Sequence, residues 1–257
     1  MIVIRNATKE FDRALAQSSV RFCDLVSATE SRMTSWGAVA YKTHPLHHQF
    51  STNGKFELRA GEWLLRRESE PIAVTRMVRI HGTRNDIINT WVFPFCPAQY
   101  PVYAAELIAV GPSIKVAFVD IQVPGLNPHR LADVSRVTAP IAHRYAALPC
   151  DEAAPHWAID ASQGHYTYSR NATQGDVDAI HHCYLAYLDA HLNLIMGEKP
   201  VQKGATVSTS ADDALYGYQR HHHQHSPGQK FLSTLFGHDW TFRFMTEFLF
   251  AKAEGIE

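Results

Sequence analysis

Nowhere does this 257-residue chain approach the roughly 20 consecutive apolar residues that a membrane helix needs. Its first residues, MIVIRNATKEFDRALAQ, place acids where a secretory leader is apolar, so a soluble intracellular protein is expected. Excess charge is also missing. Lys and Arg number 24 against 25 Asp and Glu, which offers neither a nucleic-acid surface nor an acidic tail. The four cysteines, Cys23, Cys96, Cys150 and Cys183, lack CxxC spacing, which argues against a zinc ribbon or a dithiol redox motif and fits reduced thiols. GxGxxG after a strand, the Walker loop and the GxSxG elbow are all absent, so Rossmann-type cofactor binding, phosphoryl transfer and α/β-hydrolase chemistry lose their usual signatures. Sixteen histidines include the clusters HPLHH (44–48) and HHHQH (221–225), but none shows the convergent spacing of a ligand set such as HExxH. No metal site is expected, and these histidines are read as solvated.

What is present is ample apolar material, 46% of residues with 11% aromatic, enough for a single domain over 1–257. A helix is predicted around residues 8–28. A regular series follows a polar stretch: KFELRA, EWLLRRES, AVTRMVRIHG, DIINTWVFPF, PVYAAELIAVG and IKVAFVDIQVP, separated by short turn clusters such as RAGE, SEP, HGTRND and CPAQYP. Connections this short leave no room for crossover helices, so about six strands pair antiparallel. Beyond Pro124 the pattern turns helical: 131–147 with a proline inside, 176–196, a segment starting near Ser226, and about 238–253. Strands first and helices afterwards describe an α+β fold with helices on the faces of an antiparallel sheet.

Three features call for chemistry. In PVYAAELIAVG, Glu106 sits among small and apolar neighbours, and alternation puts it on one face with Ala104 and Ile108 while Ala105, Leu107 and Ala109 take the other. A carboxyl desolvated between apolar walls has its pKa raised and holds a proton near neutrality. The alternative is a Glu106 paired with one of the strand arginines. Those arginines are the second feature: Arg59, Arg66, Arg67, Arg76, Arg79 and Arg84 face only Glu62, Glu68 and Glu70, which reads either as a solvated sheet edge or as a docking patch for an acidic partner. The third is SPGQ, with Ser226 as cap, Pro227 at the first helical position and Gln229 completing a capping box. A helix start of this kind also favours an anionic ligand group.

DIINTWVFPFCPAQYPVYAAELIAVG followed by VAFVDIQ, then PHWAIDASQGHYTYSRNAT, then FLSTLFGHDWTFRFMTEFLF, occur in an order and spacing that resembles the ferredoxin-dependent bilin reductases, from about Phe56 to Phe250. The resemblance implies a three-layer α/β/α sandwich around a central antiparallel sheet, with biliverdin IXα lying between the sheet and the C-terminal helices. It implies no bound metal or organic cofactor. Electrons come singly from reduced ferredoxin and its 2Fe-2S cluster, and side chains supply protons to bilin radicals. A cytoplasmic monomer is expected, or a plastid stromal one in an alga or plant. By the same resemblance Glu106 stands where the family usually has a catalytic aspartate, Asn89 where phycocyanobilin-forming members have a histidine, and His81 near another acid of those members. Ser226, His225, Arg79, Ser113 and Lys115 are the implied substrate contacts. Where relatives that reduce the A-ring carry an aspartate before proline or lysine, this chain has Ser226, a poor proton donor. The implied reaction is therefore reduction of the C15=C16 bridge to 15,16-dihydrobiliverdin. The other readings are a bilin-binding protein with little activity, a reductase giving another phytobilin, or one acting on a chlorophyll-derived bilin.

Overall fold

A computed structural model describes residues 19–41, 44–68, 70–95, 100–126, 128–162, 164–197 and 209–251. Its centre is an antiparallel sheet built from β1 (Val39–Ala40), β2 (His48–Phe50), β3 (Phe56–Arg67), β4 (Glu70–Gly82), β5 (Asn85–Pro94), β6 (Val102–Val110), β7 (Ser113–Gln122) and β8 (Thr167–Ala172). The order is β1-β3-β4-β5-β6-β7-β8, with β2 also on β3. The helices are α1 (Cys23–Ser35), α2 (Pro128–Arg144), α3 (His156–Ile159), α4 (Val177–Gly197), α5 (Thr209–His225), α6 (Pro227–Phe236) and α7 (His238–Arg243), the last running into a π-helical turn at Phe244–Leu249.

The sheet is larger than the six-strand meander expected, and its strands are divided differently. KFELRA and EWLLRRES are one strand, because Gly61 does not turn the chain but pairs with Met77 and leaves room for the Trp63 ring folded back over it. The reversal comes instead at Glu68, whose φ of 56° accepts the hairpin geometry. The two short strands β1 and β2 arise from the polar stretch, and β8 from TYSRNA; all three are edge pieces, β2 folding back on the nearby start of β3 while β1 and β8 pair with segments farther away in the chain. The early helix begins at Cys23, and residues 8–18 of the predicted span lie outside the described residues, as do Cys96 and the rest of the CPAQ turn. The last helix is α-helical only to Arg243 and then widens into the π turn.

Alternation along each strand divides two cores. One face packs Ile88, Val92, Tyr103, Ala105, Leu107, Val119 and Ile121 against α1, α2 and α4. Here the apolar stripe of α4 is complete: Val177, Ile180, Tyr184, Leu188, Leu192 and Ile195 are all buried. The other face packs Val78, Ile80, Trp91, Phe93, Val102 and Ala104 against α5, α6 and the π turn. The chain is thus a three-layer α/β/α sandwich.

Two buried ion pairs tie the layers together. Asp86 is fully buried and accepts from Arg79 Nε at 2.9 Å, from Arg79 Nη2 at 2.6 Å and from the Phe22 amide at 3.0 Å, fixing the start of α1 to the β4–β5 hairpin. Arg21 adds bonds to the carbonyls of Gly82, Thr83 and Asn85 in that same turn. On the opposite face, Arg76 pairs with Glu62 at 2.9 Å and donates to the carbonyl of Ala251 at 2.7 Å, holding the end of the π turn. Removing one partner of such a pair strands a charge in the interior. Asp86→Ala is expected to lower the unfolding free energy by about 3–5 kcal/mol, read from urea denaturation; a loss below 1 kcal/mol would mean that Arg79 finds water instead.

Candidate active site

Pairing register, more than any one residue, makes the site. Val78 on β4 stands opposite Asn89 on β5, Asn89 opposite Glu106 on β6, Glu106 opposite Phe118 on β7, and Phe118 opposite Tyr168 on β8. Residues opposite one another share a face. All five line a cavity of about 340 Å³ between the sheet and the layer of α5, α6 and the π turn. The next row along repeats the pattern with Arg76, Trp91, Ala104 and Asp120. Over the sheet the cavity is closed by Trp157, His222, Phe231, Phe244, Met245 and Phe250, with Ser226 and Gly228 at the start of α6.

Glu106 lies on the floor of this cavity, and no side chain among the described residues hydrogen-bonds or ion-pairs with it. Burial alone pushes its carboxyl up to about 7. The arginine-paired alternative does not hold: Arg76 and Arg79 are taken by Glu62 and Asp86, and Arg67 by the carbonyl of Ile195. Asn89 Oδ1, directly across the ladder, is buried without a partner. A buried polar atom left unpaired is costly. An unpaired acceptor thus stands beside an acid that keeps its proton up to about pH 7, a pair able to meet N–H groups.

Of the other expected site residues the structure brings one into the cavity. Ser226 caps α6, its hydroxyl oxygen accepting from the Gly228 amide at 3.2 Å. The remaining five lie elsewhere. His81 and Arg79 fall at odd positions of β4, whose even positions Val78 and Ile80 face the cavity; they project from the opposite face, where His81 meets Glu57 at 3.1 Å and Arg79 meets Asp86. His225 is exposed, its Nδ1 donating to the His221 carbonyl and its ring stacked on His221. Ser113 and Lys115 sit at the far end of the β6–β7 hairpin, past the bulge that shifts register between Ile108 and Ala109, and Lys115 reaches Asn171 at 3.4 Å. The arginine patch contracts in the same way, leaving Arg59 and Arg84 as its exposed members.

Sequence reasoning missed three groups. His222 belongs to HHHQH but is 3% exposed, and burial pushes it down to about 3. The spacing Leu215, Tyr218, His222 puts it on the inner stripe of α5, a signal the histidine count obscured. Asp120 is 1% exposed with Oδ2 unpartnered, and burial raises it to about 7. It interrupts an apolar strand in VAFVDIQ just as Glu106 does in its own strand. Tyr168 closes the Glu106 row from β8, and desolvation raises its phenol. No group of three or more His, Cys, Asp or Glu side chains among the described residues is placed to hold a metal ion, and no described helix is long and apolar enough to cross a membrane.

This geometry can be set beside known proteins. Residues 44–251 match the family model of the ferredoxin-dependent bilin reductases. The chain belongs to that family. As a bilin reductase it is an oxidoreductase whose electrons come from ferredoxin. It is 22% identical over 175 residues to a 15,16-dihydrobiliverdin:ferredoxin oxidoreductase from Gloeobacter violaceus (strain ATCC 29082 / PCC 7421), covering 67% of this chain and 70% of the relative. Its fold superposes on the crystal structure of selenomethionyl phytochromobilin synthase from tomato in complex with biliverdin, with a TM-score of 0.74 at 16% identity over 89% of this chain and 82% of the other.

The floor acid has a signature in stability. Its value in the fold, about 7, lies above the ordinary 4.5, so the native state binds the proton more tightly than the unfolded chain. The parent is therefore favoured below pH 4.5 and loses that advantage as pH rises to 7. Buried neutral His222 and His191 act in the opposite sense, losing stability as pH falls from 6.5 toward about 3 and 4. Relative to the parent, Glu106→Gln should gain stability between pH 4.5 and 7, by roughly 3 kcal/mol at most, and the difference should be flat above. Parallel urea titrations at several pH values test this; a difference independent of pH would mean the carboxyl is already ionised in the fold.

Proposed function

We propose that this bilin reductase reduces biliverdin IXα at the C15=C16 methine bridge to 15,16-dihydrobiliverdin, adding two electrons one at a time from reduced ferredoxin and two protons, one of them from Glu106. The observation that carries the reading is Glu106 itself: an unpaired, desolvated carboxyl on the floor of an apolar cavity, with the Asn89 acceptor opposite. An acid whose pKa sits near the working pH is half-loaded with a proton and can give it up when its neighbour becomes basic. A bilin that has taken one electron is such a neighbour. Low polarity around the carboxyl sharpens the response, since charge appearing on the bilin is poorly solvated until the proton moves.

Stopping at the bridge is supported at the other end of the cavity. Ser226 offers a hydroxyl, with a pKa far above that of any carboxyl, and its oxygen is already engaged with the Gly228 amide. Asn89 likewise has no proton to lose, so the acids in and behind the cavity floor, Glu106 and Asp120, are the proton-bearing carboxyls of this region. The biliverdin of the tomato complex and the 15,16-dihydrobiliverdin in the name of the Gloeobacter relative are both open-chain bilins.

Glu106→Gln keeps shape and hydrogen-bonding capacity but removes the acid. It should bind biliverdin as the parent does, accept one electron from reduced ferredoxin under anaerobic conditions, and stall as a long-lived bilin radical detectable by its spin signal. Product formation should fall about 10²- to 10⁴-fold. Chromatography of products from parent and variant decides the matter. Equal yields of one reduced bilin would remove Glu106 from the chemistry, and no reduced bilin from the parent would leave a bilin-binding protein.

A further inference from the structure

The cavity wall beyond the Glu106 row carries two buried nitrogens with no partner, Trp91 Nε1 and His222 Nδ1. Trp91 rises from β5, two residues past Asn89 on the same face, and His222 descends on it from α5, the ring centroids 5.0 Å apart in an edge-on arrangement. Around His222 the other ring neighbours are Tyr218 at 4.3 Å, His221 at 5.6 Å, Trp157 at 6.0 Å and Phe250 at 6.2 Å. An imidazole in such a box is an expensive choice. A phenyl ring of similar volume would fill the space without surrendering the hydration of the buried ring nitrogen Nδ1. Retaining a polar ring there makes sense if the nitrogens acquire a partner that the ligand-free fold lacks.

The donor chemistry says which partner. An indole N–H donates only, so Trp91 requires an acceptor, and a neutral imidazole supplies one donor and one acceptor. A carboxylate is a poor candidate, because the cation beside this wall, Arg76 opposite Trp91, is already held by Glu62 and the Ala251 carbonyl. A neutral amide-like group with both C=O and N–H answers the pair. Two residues along a strand span about 7 Å, comparable with the reach from the inner nitrogens of a coiled open-chain tetrapyrrole to its terminal ring.

We propose that Trp91 and His222 form a hydrogen-bonding anchor for a terminal lactam of the bilin, holding that ring against the aromatic wall while the pyrrole nitrogens lie over Asn89 and Glu106. The inference rests on the bilin-reductase reading of the cavity and adds a positioning element to it. It makes His222 a residue that costs stability in the empty protein and is repaid on binding.

Three proteins test it: parent, His222→Phe and His222→Gln, each measured for thermal unfolding without ligand and for biliverdin affinity by absorbance titration. His222→Phe is expected to melt at or above the parent temperature, bind biliverdin about tenfold more weakly and shift the bound absorption band, whereas His222→Gln, which retains a donor and an acceptor, should recover part of the affinity. Biliverdin dimethyl ester, with its propionates blocked, should show the same penalty with His222→Phe. A penalty that vanishes with the ester would make a propionate the partner and overturn the lactam anchor. Variants that bind as the parent does would overturn it as well, and so would a His222→Phe protein that loses stability and affinity together, since that marks an ordinary packing residue. If the parent itself fails to bind biliverdin, the functional reading falls along with the anchor; if the parent binds and only the variants are indifferent, the anchor alone falls.

Discussion

A carboxyl held between apolar walls without a counter-ion is the constraint around which the site is arranged. Glu106 is desolvated because β5 and β7 flank it on both sides and an apolar layer covers it, and the covering layer keeps arginine away. The arginines of β4 are held by acids of their own, Arg76 by Glu62 on the cavity side of the sheet and Arg79 by Asp86 on the opposite face. Those ion pairs lock helices to the sheet on both faces.

The two walls of the cavity differ in kind. The sheet wall is continuous antiparallel ladder, so Asn89, Glu106, Phe118 and Tyr168 are held in one row by backbone hydrogen bonds, with little freedom to drift. The helical wall is assembled from short pieces: α6, α7 and a π turn, a feature that often marks functional sites because it re-aims side chains within a helix. Here the turn directs Phe244, Met245 and Leu249 into the cavity, and Arg76 and Gln219 hold its end through the Ala251 carbonyl. Unpaired polar atoms at Asn89, Trp91, Asp120 and His222 cluster around the same space. Their burden falls on the empty protein, the usual exchange of stability for function at a binding site.

Much of the framework was legible in the chain. Period-2 alternation with short turns gave the antiparallel sheet, the helical stripe from Val177 to Ile195 gave α4 to within a residue or two, and SPGQ located the start of α6. Glu106 stood out because an acid flanked by apolar residues on both faces of a strand has nowhere to be solvated. Glycine at 61 misled, since it signals a turn in sequence but in the fold makes space for Trp63. Histidine misled as well: in the run HHHQH four imidazoles look alike, yet helical rotation buries His222 and leaves His225 exposed.

Local pattern, then, determined which segments are strands and helices, that the strands pair antiparallel, and that one carboxyl is desolvated, because each of these depends on neighbours within a few residues. Only the tertiary structure decided which residues share the cavity. Register between strands set Glu106 against Asn89 and Tyr168, and one step of alternation sent Arg79 and His81 to the far face. Packing of α5 over the sheet brought His222 to Trp91 across more than a hundred residues of chain. Such contacts follow from how layers fill space together, and a side chain carries no record of its distant partner until the layers close on it.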